Sequence, residues 1–321
     1  MFIRNIPTAT ALSLLLCSTA YADVSAESLA SVSTPDKVET SIGTLNFKDG
    51  APSPDTATAV YDNLDFTYAF RAFTDTYKGV SIEAVHQGFL AAGIKDNEVL
   101  LFSGLMDSAS LFLTANADTV YYLSVIDLSD GPMVVETPPD ALGTFDDMWF
   151  RWVIDFGRPG PDRGEGGKYL LVGPDYDGPL PEDGFYVGHS KTHRVVMLGR
   201  SFLEDNDPAK PVEVIKSKTK IYPYVPGGVG TSIATFLEGG VKLAPNAKAK
   251  TPVFHEGTGL AMNTIPPSDY RYYEVLNDLV QAEPAADIDP ELMGPIAAIG
   301  IKKGKDFAPD ERMKKILTNA V

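Results

Sequence analysis

The sequence has 321 residues, of which 44% are hydrophobic and 22% charged, enough for two ordinary domains with properly buried cores. Asp and Glu outnumber Lys and Arg by 43 to 27, for a formal charge of −16. A chain this acidic repels phosphate backbones and anionic headgroups, which argues against nucleic-acid and membrane-surface partners.

The amino terminus reads as a secretory signal. Arg4 supplies a positive start, Ala11 to Ala20 an apolar stretch, and Ala20-Tyr21-Ala22 an A-x-A cleavage site before Asp23. The apolar stretch is too short to span a bilayer. Leu16, just before Cys17, is too large for the usual lipid-attachment site. Cleavage would remove Cys17, the sole cysteine, and with it any disulfide or thiolate metal site. The expectation is a periplasmic protein of Gram-negative type.

Residues 23–54 are rich in Ser, Thr, Pro and Asp and read as a flexible leading segment, with a short strand expected near 42–47. Apolar residues Val60, Leu64, Tyr68, Phe70 and Phe73 recur at helical spacing over 55–77, and a second helix is expected over 81–92, capped by Gly93. Short β-rich runs follow at 99–105, 110–114, 119–128, 133–136, 147–156, 168–172, 185–189 and 194–203, divided by turn clusters such as Ser129-Asp130-Gly131-Pro132. Strands in such close succession without helices between them predict an antiparallel sandwich or barrel. Helices return at about 211–218, 268–282, 290–299 and 309–320. The expected division is a signal at 1–22, the leading segment at 23–54, a helical lead-in plus β-sandwich at 55–206, and a mostly helical domain at 207–321.

Several stretches together carry a resemblance. They are Asn116-Ala117-Asp118-Thr119-Val120-Tyr121, Asp127-Leu128-Ser129-Asp130-Gly131-Pro132, Asp155-Phe156-Gly157, the loop Gly160 to Tyr169, Arg200-Ser201-Phe202-Leu203, and the tail Ile299 to Phe307. The chain resembles, over roughly residues 35–321, the secreted bacterial family of domain of unknown function 1254 (DUF 1254). The resemblance implies an Ig-like β-sandwich followed by a helical domain, and no settled chemistry. Members of that family usually continue into a companion, domain of unknown function 1214. Here the sequence stops at Val321, so a site built between two β-domains is expected to be incomplete.

Candidate site residues come from three places. Read as one strand, 146–155 puts Met148, Phe150, Trp152 and Ile154 on an apolar core face. Asp147, Trp149, Arg151 and Asp155 then share the opposite face. An indole flanked by a carboxylate and a guanidinium suits a polar ring such as a sugar or aromatic acid; a face covered by another domain is the alternative. Asn116 and Asp118 precede a strand, about 6–7 Å apart if the strand already runs there. Asp118 is then a candidate base, with Tyr121 as acid and Asn116 as orienter, or the pair simply closes a turn.

The loop from Asp162 to Gly167 holds Asp162 and Glu165 as possible calcium ligands, without the spacing of a dedicated calcium loop. His189 and His193 would lie about 13 Å apart on an extended chain, too far to share a metal ion. Gly230-Thr231-Ser232-Ile233-Ala234 nearly spells a nucleophile elbow but lacks the parallel α/β sheet that an elbow needs. Two functions stay open at this point. One is an enzyme working by acid–base chemistry on a small polar or carbohydrate-like substrate, with Arg151 neutralising substrate charge. The other is a non-catalytic module that binds a small polar ligand or a second β-domain. No cofactor is expected.

Overall fold

The helix and strand signals resolve into two units, Met1–Tyr61 and Asp62–Val321. The computed structural model describes residues 24–33, 35–112, 116–226, 249–284 and 288–321. The signal segment, the elbow-like stretch from Gly230 to Ala234 and the end of the strand expected at 110–114 lie outside the described residues.

In the first unit, α1 (Ala26–Val32) is capped by Ser25, whose hydroxyl accepts from Ser28 N. An antiparallel meander follows, made of β1 (Lys37–Thr40), β2 (Gly43–Lys48) and β3 (Ala51–Pro52). Its second hairpin turns on Asp49-Gly50, both at positive φ (51° and 80°), the geometry that an Asp-Gly pair favours between twisted strands. The long helix α2 (Pro54–Ala91) begins in this unit. Pro54 pre-sets its first turn and Ser53 Oγ accepts from Thr56 N.

Two helices were expected here, and the chain forms one. Gly79 does not break the helix but opens a notch in it: a Cβ there would lie 2.6 Å from Trp149 Cε3 and 2.9 Å from Leu279 Cδ2. Glycine at that position lets an indole lie against the helix backbone. The helix ends at Ala91 and is capped by Gly93 as expected, with φ at 82° and Ile94 N donating back to Phe89 O.

The second unit continues with β4 (Val99–Leu101), β5 (Ser110–Leu111), β6 (Thr119–Asp127), β7 (Met133–Glu136), β8 (Ala141–Asp147), β9 (Trp152–Gly157), β10 (Lys168–Val172), β11 (Tyr186–His189) and β12 (Arg194–Phe202). After these come α3 (Ala209–Lys218), β13 (Lys220–Pro223), β14 (Phe254–Glu256), β15 (Met262–Asn263), α4 (Arg271–Ala282), α5 (Pro290–Ala298) and α6 (Glu311–Ala320). The region after residue 207, expected to be mostly helical, thus also returns strands to the sheets.

The fold is mixed and mostly antiparallel. A six-stranded sheet runs β14-β4-β6-β12-β8-β9 and a four-stranded sheet runs β11-β10-β7-β13. Among the described strands, only the β14–β4, β10–β11 and small β15–β5 pairs are parallel. Alternation along the central strands feeds two cores. Val120, Tyr122 and Ile126 of β6 join Phe145, Phe156 and Tyr169 in a core shared with the four-stranded sheet. Leu123 and Val125 point the other way, into a core shared with α2, α4, α5 and α6. Burial on both faces explains why β6 and β12 read as near-continuous apolar runs. The stripe Tyr272, Tyr273, Leu276, Leu279 and Val280 gives α4 its buried face.

The strand expected at 147–156 is two strands and a turn. β8 ends at Asp147 and β9 starts at Trp152, with a register shift at Phe145/Asp146. Asp147 makes the turn. Its Oδ1 accepts from Trp149 N (2.9 Å) and Arg151 N (3.0 Å), and its Oδ2 from Arg151 Nε (2.6 Å). Phe150 sits at φ 57°. The turn undoes the expected faces: Met148 is buried as expected, but Trp149, expected on the open face, is buried at 8% exposure, whereas Phe150 and Trp152, expected in the core, are exposed, Trp152 at 67%.

Candidate functional site

The helix-facing side of the six-stranded sheet is not fully covered. A cavity of 690 Å³ lies there, floored by Tyr121 and Leu123 of β6, Leu198 and Arg200 of β12, Leu142 and Thr144 of β8 and Asp155 of β9. Ser81, Ile82 and Val85 of α2 close one side, and Met106, Phe112 and Phe150 add apolar wall. Its size and lining suit a small-molecule pocket: mostly apolar, with a few polar groups.

Strand register places those polar groups. Arg200 pairs across to Tyr121 on one side and Leu142 on the other; Thr144 pairs across to Asp155. The Arg200 guanidinium lies over the Tyr121 ring, 5.6 Å from its centroid. Its only polar contact among the described residues is Tyr121 Oη, at 3.5 Å, the long limit for a hydrogen bond. Tyr121 Oη also accepts from Asn116 Nδ2 at 3.1 Å. Asn116 is held in that orientation because its Oδ1 accepts from Asp118 N at 3.1 Å. Both groups on the tyrosine oxygen are donors, so its own proton stays available. Beside the cavity, burial pushes the Asp146 carboxyl up to about 6, and repulsion from Asp155 and Asp147 adds to this.

Of the residues singled out from sequence, Tyr121 and Asp155 line the cavity, and Asn116 supports it through Tyr121. Asp118 is exposed and closes an Asx turn with Asn116, and β6 starts only at Thr119. The shared face of Asp147, Trp149, Arg151 and Asp155 does not form, because the turn at 148–151 separates them. Trp149 is packed in the core between sheet and helices, and Asp147 is buried and bound to Arg151 within the turn. In sequence Arg200 stands out only within the Arg200-Ser201-Phe202-Leu203 stretch; its position on the cavity floor follows from long-range pairing that no local pattern reveals.

The other constellations have structural partners. Asp162 accepts from Gly157 N (2.7 Å), Gly166 N (3.1 Å) and Tyr169 Oη (2.7 Å), which commits its carboxylate to shaping the loop, while Glu165 is exposed. His193 meets Asp175 at 2.7 Å, and His255 meets Glu98 at 2.7 Å. Among the described residues no three His, Cys, Asp or Glu side chains gather as metal ligands would, and no helix is long and apolar enough to cross a membrane.

A second charged cluster was missed in the sequence. Arg194, at the start of β12, donates from Nε to Glu283 Oε1 (2.7 Å) and lies 3.1 Å from Glu83 Oε2 through Nη2. Its Nη1 lies 2.6 Å from His86 Nδ1, and His86 Nε2 lies 2.8 Å from Asp96. Glu83, His86, Arg194 and Glu283 are all buried.

Together these features describe a mixed, mostly antiparallel β domain, two sheets deep and backed by helices, with a cavity on the helical side. Residues 97–223 match the family model described as Protein of unknown function (DUF1254). The match runs from the lead-in of β4 to the end of β13 and takes in the stretches Asn116–Tyr121 and Gly160–Tyr169. A crystal structure of a Vibrio parahaemolyticus protein, solved as a structural-genomics target, aligns with a TM-score of 0.50 at 17% identity, over 79% of this chain and 57% of that one. At that identity the likeness concerns fold alone, and this chain spans a little over half of that protein's length. No curated protein matches.

Proposed function

We propose that the protein is an exported small-molecule-binding protein and that the cavity over β6, β12, β8 and β9 is its ligand site. The observation that carries this reading is the cavity itself: 690 Å³, walled by Ile82, Val85, Phe112, Leu123 and Leu198, with Arg200, Asp155 and the hydroxyls of Tyr121, Ser81, Thr144 and Thr264 as its polar groups. An apolar enclosure with few, fixed polar groups is how binding sites orient a ligand. Binding is favoured over acid–base catalysis because Asp118, the candidate base, is exposed and outside the lining. The proposal includes export to the periplasm by cleavage after Ala22, so that sequencing of the exported protein begins at Asp23. It also takes the two face-to-face sheets as the Ig-like sandwich of the family.

The test uses a neutral apolar probe, N-phenyl-1-naphthylamine, whose emission rises in dry surroundings. Wild type should bind it saturably, and Leu198→Trp, which fills the cavity floor, should weaken binding by about tenfold or more, the scale of one well-filled pocket position. Equal binding by the two proteins would show that the cavity is not the site.

A further inference from the structure

We infer that the cavity's ligand is a monocarboxylate with an apolar body, its carboxylate held by Arg200 and Tyr121. The inference rests on the reading that this cavity binds a small molecule, and it names the chemical class of the end that is held.

Three observations carry it. First, the polar corner at Arg200 contains donors and no spare acceptor. The guanidinium has Tyr121 Oη at 3.5 Å as its only polar contact among the described residues. The tyrosine oxygen receives Asn116 Nδ2 and keeps its own proton to give. A planar fork beside a hydroxyl proton matches the two oxygens of a carboxylate. Second, the corner is pre-set. The Tyr121 ring lies under the guanidinium, and Asn116 is locked by Asp118 N, so little side-chain freedom is lost on binding.

Third, the charge available is one. Asp155 lies on the same cavity floor, two strands over and one two-residue step along, about 12 Å from Arg200 between Cα atoms by ordinary sheet spacing. The whole chain carries −16. A phosphate or a dicarboxylate would bring a second negative charge towards Asp155, and among the described lining residues Arg200 is the one cation. Between the two polar ends the walls are Val85, Phe112, Leu123 and Leu198, which fit an aliphatic or aromatic body.

The experiment displaces N-phenyl-1-naphthylamine from the full mature chain with 4-phenylbutyrate, its neutral amide 4-phenylbutyramide, and phenylsuccinate. Wild type should take the carboxylate at least about tenfold more tightly than the amide, the scale of one charge-assisted contact, and should take phenylsuccinate no better than phenylbutyrate. Arg200→Met should bring carboxylate and amide to within about twofold by weakening the carboxylate far more than the amide. Tyr121→Phe, which keeps the ring, should lower the carboxylate preference by severalfold.

Equal displacement by acid and amide in wild type would overturn the carboxylate assignment while leaving the binding site standing. So would a preference that survives Arg200→Met. Tighter binding of phenylsuccinate would overturn the single-charge argument. Probe binding that ignores Leu198→Trp would instead overturn the underlying reading.

Discussion

Arg194 and Arg200 stand on the same strand and, by its two-residue period, on the same face of the sheet. Their surroundings differ sharply. Arg194 is enclosed by Glu283 and Glu83 and touches His86, so that sheet, α2 and the end of α4 are joined through one guanidinium. Arg200 meets a tyrosine ring and a long contact to its hydroxyl, and looks into a cavity. A guanidinium taken from water needs acceptors. At Arg194 the protein supplies them, and the residue is part of the architecture. Arg200 is only partly buried and keeps the long tyrosine contact alone, and the carboxylate proposed above would supply the remaining acceptors. The same side chain on the same strand is thus structural where the helices close over it and receptive where they do not.

Three substitutions would break or sharpen that contrast. The largest effect is expected from Arg194→Met, which leaves Glu83 and Glu283 buried without their cation. Removing one partner of a buried ion pair costs about 3–5 kcal/mol, read as a lower urea midpoint. A loss below about 1 kcal/mol would mean that the cluster is not the tie described.

An intermediate effect is expected at Asp146, whose carboxyl burial raises to about 6 from 3.8. Between those two values the folded state keeps a proton that the unfolded state has released. Stability therefore falls as pH rises through that window, and the full cost is present above it. Asp146→Asn should raise stability at pH 7 by about 2 kcal/mol, flatten the profile between about pH 4 and 6, and change little at pH 3.5. Melting curves across that range would show the opposite slope if Asp146 were held charged by a partner.

The smallest effect is expected from Arg200→Met. With no carboxylate to orphan, it should shift the urea midpoint by less than about 0.5 kcal/mol. A loss comparable to that at Arg194 would make both arginines structural and end the comparison.

How much of this could be read beforehand depended on where each signal lay. β7 and β10 stand where the alternation put them, and the helices from α3 onwards differ from expectation by a few residues at their ends, because local pattern suffices there. The stretch 141–157 failed for a physical reason. Its turn is made by an Asp147 side chain and a positive-φ Phe150, without the glycine or proline that marks turns in sequence. The gap between the helices expected over 55–77 and 81–92 is, in the structure, a Gly79 contact within one continuous helix. At the site, Tyr121 and Asp155 were named from their neighbours in sequence. Arg200 needed the register between β12 and β6, which joins residues some eighty positions apart.

The notch at Gly79 also determines how the molecule behaves in light. The chain has two tryptophans. Trp149 is sealed against α2, with an indole N–H that finds no acceptor among the described residues, and Trp152, three positions on, is 67% exposed. An indole in dry surroundings emits to the blue of one in water, and dissolved iodide reaches only the wet one. With Trp152 quenched, the remaining emission comes from the seam between long helix and sheet. The protein therefore carries its own optical gauge of that seam, with no label attached.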